Sequence, residues 1–287
     1  MTIPTVLSIH DHNRRLLDTQ YVYPVLSRRA GGVSVGINLN TNNTCNWSCI
    51  YCQVENLQRG VPPAPNLERL RSELHNLLTE ALQGDFLLRY APPDARRVMD
   101  VAFSGNGEPT ISPLFTEALI EVRQVIDECC TQGGQPSLPL RLITNGSMLL
   151  RQNVRRAVGL LGKTVDGEVW FKLDRATITG MELVNGNHQL TASVVKRLRC
   201  CAQLAPTWLQ TCWFAEHGKA PDKSERETWL QVVGSVASSL QGVHLYGLAR
   251  PSMQSQAATL SPLPLTELED FAVEIRQRTG LLVNVVQ

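Results

Sequence analysis

The sequence predicts an α/β chain folded as a partial, open (β/α)6-type barrel of the TIM-like kind, with a short N-terminal extension. Three observations carry this. Stretches of period-two hydrophobicity alternate with stretches of helical period along nearly all 287 residues, the pattern of strand and helix around a parallel sheet. Six such units are clear, and a short seventh strand pattern ends the chain, fewer than the eight of a closed barrel. The strand patterns also end in clusters of Gly, Asn, Asp and Cys, the place where barrels carry their chemistry. An open doubly wound sheet is the other architecture that this alternation allows.

Residues 1–32 read as the extension and residues 33–287 as one domain. Within the extension, 21–26 alternate as a strand does, and 27–32 read as a turn. Arg28 and Arg29 in that turn suit either an anionic substrate or a solvated basic surface. Residues 33–40 form the first barrel strand. Val33, Val35, Ile37 and Leu39 share one face, and Ser34, Gly36, Asn38 and Asn40 share the other. The apolar face is expected to pack on helices and the polar face to line the lumen. That makes Asn38 and Asn40 candidates for the substrate side of a ligand cavity, although a half-exposed edge strand would read the same way.

This strand runs straight into a loop holding Cys45, Cys49 and Cys52, spaced C-x3-C-x2-C. Thiolates are soft ligands that select zinc, copper(I) or iron–sulfur clusters. A closed zinc site takes four ligands, usually from two paired halves, and only one half is present. A [4Fe–4S] cube ordinarily takes four thiolates. Three would leave one iron open to a small molecule. The spacing favours such a cluster, with zinc or merely buried cysteines as the other readings.

Residues 66–84 read as a helix capped by Asn66, with leucines at 67, 70, 74, 77, 78 and 82 on one face and Gly84 closing it. Residues 85–97, with Pro92 and Pro93, read as a loop. Residues 98–104 are the second strand, ending in Gly105, Asn106, Gly107, Glu108 and Pro109. Glycines let a ligand approach the backbone, and a carboxylate such as Glu108 can hold an ammonium group. A helix over 115–131 ends in Cys129 and Cys130, read as buried structural thiols. Strand 138–144 places Thr144 and Asn145 at its end, facing a cofactor cavity. After a helix over 149–161, strand 169–174 puts Trp170, Lys172 and Asp174 on one face. Unpaired charge inside a barrel is costly. Lys172 and Asp174 therefore either pair with each other or with Glu108, or hold a ligand. A Schiff-base role for Lys172 is a further reading.

Asn185 lies in a loop that interrupts the next crossover. A helix over 190–204 carries Cys200 and Cys201, and strand 208–214 carries Cys212; all three read as inert packing. Residues 216–224 read as a loop over the active face, followed by a helix over 226–240. On strand 242–248, His244 and Tyr246 share a face that leads to Arg250. These three are candidates for substrate or adenine contacts, and structural roles would serve equally. A helix over 265–279 and a short strand over 281–286 complete the chain.

Net charge is +1 and 43% of residues are hydrophobic. That content suffices for a full core, and near-neutrality gives nucleic acid binding no global support. No run approaches the ~18 apolar residues of a membrane span. A thiol-rich chain without an evident export signal is expected in the reducing cytoplasm.

The cysteine spacing, with the aromatic Tyr51 before the last cysteine, resembles the signature of the radical S-adenosylmethionine (SAM) superfamily. Phe103-Ser-Gly-Asn-Gly-Glu-Pro-Thr110 looks like that family's glycine–glycine–glutamate segment, with Asn106 where the first glycine of the pair usually stands. Leu142-Ile-Thr-Asn-Gly146 and Phe171-Lys-Leu-Asp174 look like its third and fourth strand ends. Within the superfamily the chain looks most like the iron–sulfur oxidoreductases related to wybutosine synthases, over about residues 21–251. The resemblance implies a [4Fe–4S] cluster on Cys45, Cys49 and Cys52 with one open iron. It implies SAM held by Tyr51, Gly105, Asn106, Gly107, Glu108, Thr144, Asn145, Lys172 and Asp174. It also implies reductive cleavage to a 5′-deoxyadenosyl radical, fed by a reductase such as flavodoxin or ferredoxin, and Asn185 resembles a substrate-side loop residue. A non-catalytic iron–sulfur protein and a zinc module remain the alternatives, and the substrate is not legible.

Overall fold

In the computed structural model, residues 7–8, 16–27 and 31–286 are described; Arg28 and Arg29 lie outside them. The strands in chain order are β1 Val22–Ser27, β2 Gly32–Asn38, β3 Thr44–Cys45, β4 Gln58–Arg59, β5 Val98–Ser104, β6 Leu140–Thr144, β7 Glu168–Lys172, β8 Thr207–Cys212, β9 Phe214–Glu216, β10 Gly242–Tyr246, β11 Leu260–Pro262 and β12 Leu282–Val286. The helices are α1 Leu67–Leu82, α2 Phe86–Tyr90, α3 Phe115–Gln132, α4 Gln152–Leu161, α5 Ile178–Asn185, α6 Thr191–Leu204, α7 Lys223–Gly234 and α8 Leu265–Thr279.

Eight strands form one curled sheet in the order β1-β2-β5-β6-β7-β8-β10-β12. Every pair is parallel except β1 with β2, which is antiparallel, with Val22 opposite Ile37 and Ser27 opposite Gly32. β1 and β12 are the two free edges, so the barrel is partial and open. Seven parallel strands stand where six were clear from sequence. The seventh is the short terminal pattern, which pairs with β10 from Gly242↔Leu282 to Tyr246↔Val286.

The alternation of β2 has the expected cause. Val33, Val35, Ile37 and Leu39 are all fully buried, and Val35, Ile37 and Leu39 join the core formed with α1 and α3. Each such side chain contributes about 1.5–3 kcal/mol of burial. α1 begins where Asn66 accepts a hydrogen bond from the Arg69 N–H at 2.9 Å, and it buries Leu70, Leu74, Leu77 and Leu78. Arg71 then ties α1 to α3 through Glu121 and Glu128.

Three sequence expectations need correction. Residues 85–97 are not plain loop. Phe86 is buried and packs on Tyr90 with ring centroids 4.9 Å apart, which stabilises α2, and a short 3-10 turn follows at Pro93–Ala95. The fifth strand breaks at Trp213, whose N–H donates to the Tyr246 carbonyl, and β9 turns away to pair antiparallel with β11. Asn185 does not lie in a free loop; it is the last residue of α5. Cys129, Cys130, Cys201 and Cys212 are buried and Cys200 is partly buried. Among the described residues, no helix is long and apolar enough to cross a membrane.

Candidate active site

A cavity of about 350 Å³ opens at the C-terminal ends of the parallel strands. Cys45, Cys49 and Cys52 all line it, because the loop that follows β2 folds back over the barrel mouth. Burial pushes the Cys45 thiol up to about 11 and the Cys49 thiol up to about 12, so both are protonated until a metal displaces the proton. Each receives an N–H bond. The Trp47 amide donates to Cys45 Sγ at 3.4 Å, and the Asn185 side-chain amide donates to Cys49 Sγ at 3.3 Å. Three soft donors on one cavity, with N–H groups already aimed at two of the sulfurs, fit an iron–sulfur group. Among the described residues no three Cys, His, Asp or Glu side chains stand close enough to grip a single ion. A cube holds its thiolates on separate irons, so its three cysteines need only face one space.

The end of β5 forms one wall. Gly105, Gly107 and Glu108 line the cavity, and Asn106 does not. Asn106 instead ties the turn to the cysteine loop: its Nδ2 donates to Asn43 Oδ1 at 2.6 Å and its backbone N–H to Asn38 Oδ1 at 3.0 Å. A side chain at Gly107 would overlap the Thr44 carbonyl oxygen and meet Asn40 Nδ2 at 2.8 Å. The glycine is therefore required where the turn passes under the cysteine loop. Asn40 reinforces that crossing, donating to the carbonyls of Thr44 at 2.9 Å and Glu108 at 3.3 Å. Asn38 and Asn40 thus hold the two loops together and do not line the cavity.

The Glu108 carboxylate is enclosed by donors. Oε1 accepts from the Thr110 N–H at 3.1 Å, from the Thr110 hydroxyl and from the Thr144 hydroxyl at 2.6 Å; Oε2 accepts from the Asn145 N–H at 2.6 Å. Burial nevertheless holds this carboxyl above its ordinary value. Glu108 therefore clamps the end of β5 to the end of β6. Thr144 and Asn145 line the cavity beside it, and Asn145 Nδ2 reaches Asn46 in the cysteine loop at 2.9 Å.

Lys172 and Tyr51 line the cavity, while Asp174 lies behind them. Tyr51 donates to Asp174 Oδ2 at 2.7 Å and accepts from Lys172. The Lys172 ammonium is 3.5 Å from Asp174 and 4.4 Å from the Tyr51 ring centroid. Burial pulls the Lys172 pKa down, but the Asp174 charge more than offsets it and holds the ammonium well above its ordinary value. The pairing with Asp174 thus favours the ammonium form of Lys172. Asp174 also accepts from the Cys212 N–H at 3.0 Å and from Asn185 at 2.8 Å.

Of the other candidates, Tyr246 and Arg250 line the cavity, whereas His244 sits below it. His244 is sandwiched between Trp208, at 4.7 Å and nearly parallel, and Trp170, at 4.6 Å. Sequence reasoning put Ser34 on the lumen face, where it does line the cavity, but passed over the rest of the cavity floor. Ser34 donates to Asp100, Asp100 pairs with Arg141, and Arg141 pairs with Glu168 at 2.6 Å. Ser34, Asp100, Arg141 and Gln210 all line the cavity. Their signal was the same period-two spacing: Asp100 precedes Ala102 and Ser104 on one face, and Arg141 precedes Ile143. Tyr23 of β1 also reaches the cavity, its hydroxyl 2.8 Å from Ser104 Oγ.

No protein-family model matches the chain. It is 27% identical over 155 residues to the GTPase Obg of Brachyspira hyodysenteriae, covering 53% of this chain and 19% of that protein. It is 25% identical over 158 residues to the UPF0026 protein MJ1312 of Methanocaldococcus jannaschii, covering 53% of this chain and 43% of that one. The chain thus matches under half the length of these curated relatives. Among solved structures, Streptococcus suis SuiB bound to its precursor peptide SuiA superposes with a TM-score of 0.58 at 11% identity, over 89% of this chain and 48% of SuiB. TYW1 with a lysine–pyruvate adduct gives 0.56 at 15% identity, over 85% of this chain and 73% of TYW1. HydG, a maturase of the [FeFe]-hydrogenase, gives 0.54 at 12% identity, over 85% and 49%. At such identities the likeness is one of fold. This chain shares with SuiB, TYW1 and HydG the partial, open α/β barrel.

Proposed function

We propose that the chain is a radical SAM enzyme, related to the wybutosine synthase branch, that binds a [4Fe–4S] cluster through Cys45, Cys49 and Cys52. The observation that carries this is the convergence of three thiols on one cavity at the C-terminal mouth of a partial barrel, beside the Gly105–Glu108 turn. SuiB, which shares the fold at a TM-score of 0.57, binds SAM. When bound, such a cluster and SAM would supply one-electron chemistry, the reductive cleavage of SAM coupled to removal of hydrogen from a substrate.

The protein's own part is binding, orientation and exclusion of water. The backbone of Gly105 and Gly107 and the side chains of Thr144 and Asn145, which line the cavity, hold the amino-acid end of SAM in this reading. Glu108 keeps those two strand ends in register, and Asn106 keeps the turn against the cysteine loop. Lys172, on the same wall, offers an ammonium to the SAM carboxylate, and Asp174 holds Lys172 and Tyr51 in place from behind. Tyr246 and Arg250 border the nucleoside and substrate side. The polar floor of Ser34, Asp100, Arg141 and Gln210 offers hydrogen bonds to a polar substrate held below SAM.

The test is anaerobic. Protein reconstituted with iron and sulfide is reduced with dithionite in the presence of SAM, and 5′-deoxyadenosine is measured. Its formation supports the proposal. A loaded, reduced cluster that leaves SAM intact would point to a non-catalytic iron–sulfur protein, and zinc in place of iron to a binding module.

A further inference from the structure

We propose that Asn185 is a positioning residue for Cys49: its side-chain amide donates to the thiolate that ligates the cluster and so tunes the cluster's reduction potential. This rests on the reading above that Cys49 is a cluster ligand.

Asn185 is 1% exposed, and its Nδ2 lies 3.3 Å from Cys49 Sγ and 2.8 Å from Asp174 Oδ2. A side-chain amide carries two hydrogens on its nitrogen, and here each has an acceptor. The Asp174 contact also decides which way round the amide sits. An ionised carboxylate only accepts, so the nitrogen must face it, and the amide oxygen is turned away from the sulfur. Asp174 is itself fixed by Tyr51 at 2.7 Å and by the Cys212 N–H at 3.0 Å.

The main chain sets the separation between the amide and the sulfur. The Ser48 N–H donates to the Asn185 carbonyl at 3.1 Å and the Ile50 N–H donates to the Val184 carbonyl at 2.9 Å, one bond on each side of Cys49. Helix α5 stops there because Gly186 takes φ +59°, a left-handed conformation, and any side chain at that position would overlap Ser48 Oγ. Arg59 spans the joint, donating to the Gly186 carbonyl and to Ser48 Oγ. The end of α5 is thus locked to the cysteine loop around Cys49, whose sulfur receives a side-chain donor.

An N–H···S bond draws electron density from a ligating thiolate. It therefore stabilises the more negative, reduced cluster more than the oxidised one, and the potential rises. Cys45 takes its bond from the Trp47 main-chain N–H, which truncating a side chain leaves in place. The bond to Cys49 comes from a side chain and is deleted by truncation.

The experiment compares full-length wild type with Asn185→Ala and Asn185→Ser, all reconstituted anaerobically. Iron and sulfide are measured first, then the cluster is titrated potentiometrically by EPR without SAM. The variants are expected to hold the wild-type iron and sulfide but to be harder to reduce. At the wild-type midpoint their ratio of reduced to oxidised cluster should fall about tenfold, or 59 mV for a one-electron couple. An unmoved midpoint at equal iron content overturns the proposal. Should both variants lose the cluster, pulsed EPR of reduced wild type labelled with ¹⁵N in the asparagine side chains decides. A side-chain nitrogen coupling supports the proposal, and its absence overturns it. Wild type that binds no iron and sulfide overturns the radical SAM reading as well, so the two failures are distinguishable.

Discussion

Replacing Glu108 with Gln separates two roles that the same carboxylate can have. In the structure it accepts four hydrogen bonds from Thr110, Thr144 and Asn145 while 3% exposed. A glutamine oxygen at the Oε1 position keeps three of them. The glutamine NH2 then confronts the Asn145 N–H, donor against donor, at a site where the two heavy atoms now sit 2.6 Å apart. The loss is one bond to a charged acceptor, about 1.5–3 kcal/mol, plus a stranded buried N–H, about 1–3 kcal/mol. Removing a buried charge offsets part of this, leaving about 2–4 kcal/mol. Urea unfolding of the apo-protein reads this directly. The pH dependence carries a sign. Burial raises the Glu108 pKa above its ordinary 4.5, so the charged form penalises folding. The stability that this carboxyl contributes is fully present below the ordinary value and is lost as pH rises through the folded one. The gap between wild type and Glu108→Gln should therefore widen as pH falls from neutral towards 4.5. A variant within about 0.5 kcal/mol of wild type that had nevertheless lost SAM binding would refute the clamp and show the carboxylate to be a ligand to SAM's ammonium.

Three other outcomes are expected. Ala at Cys45, Cys49 or Cys52 should each abolish the cluster, seen as loss of the iron and sulfide and of the visible absorbance. Gly107→Ala forces a methyl group into the Thr44 carbonyl and should cost about 1–3 kcal/mol, with a lower yield of reconstituted cluster because the cysteine loop is displaced. His244→Ala removes the ring between Trp170 and Trp208 and should cost about 2–3 kcal/mol in urea unfolding, from two aromatic contacts of about 0.5–1.5 kcal/mol each plus the cavity left behind. SAM affinity should not change, since His244 lies under the cavity floor and not on its wall.

Local chemistry made most of the fold legible. Alternation in 33–40 placed Val33, Val35, Ile37 and Leu39 against the helices, where all four are fully buried. The same rule, extended to Asp100, Arg141 and Gln210, would have drawn the cavity floor. Period two fails at strand ends. β7 stops at Lys172, and beyond it the chain turns, so Asp174 no longer follows Lys172 into the cavity but bonds the Cys212 N–H behind it. His244 does point inward as spacing suggests, but depth along a strand is not written in spacing, and Trp208 on the adjacent β8 and Trp170 on β7 beyond it cover the ring. Asn185 was visible as a residue next to a glycine. Its contact with Cys49 is not, because 136 residues separate them and only the docking of α5 on the cysteine loop brings them together. Two of the four donors to Glu108 are long-range in the same way, since Thr144 and Asn145 arrive from the next strand, while Thr110 supplies the other two locally.

In the proposed function, three protein thiolates leave one iron corner for SAM to occupy. The most direct measurement is the EPR spectrum of the anaerobically reduced protein before and after SAM is added. A SAM-dependent change in the g-values is expected, because the added ligand binds the cluster itself. A spectrum indifferent to saturating SAM would contradict it.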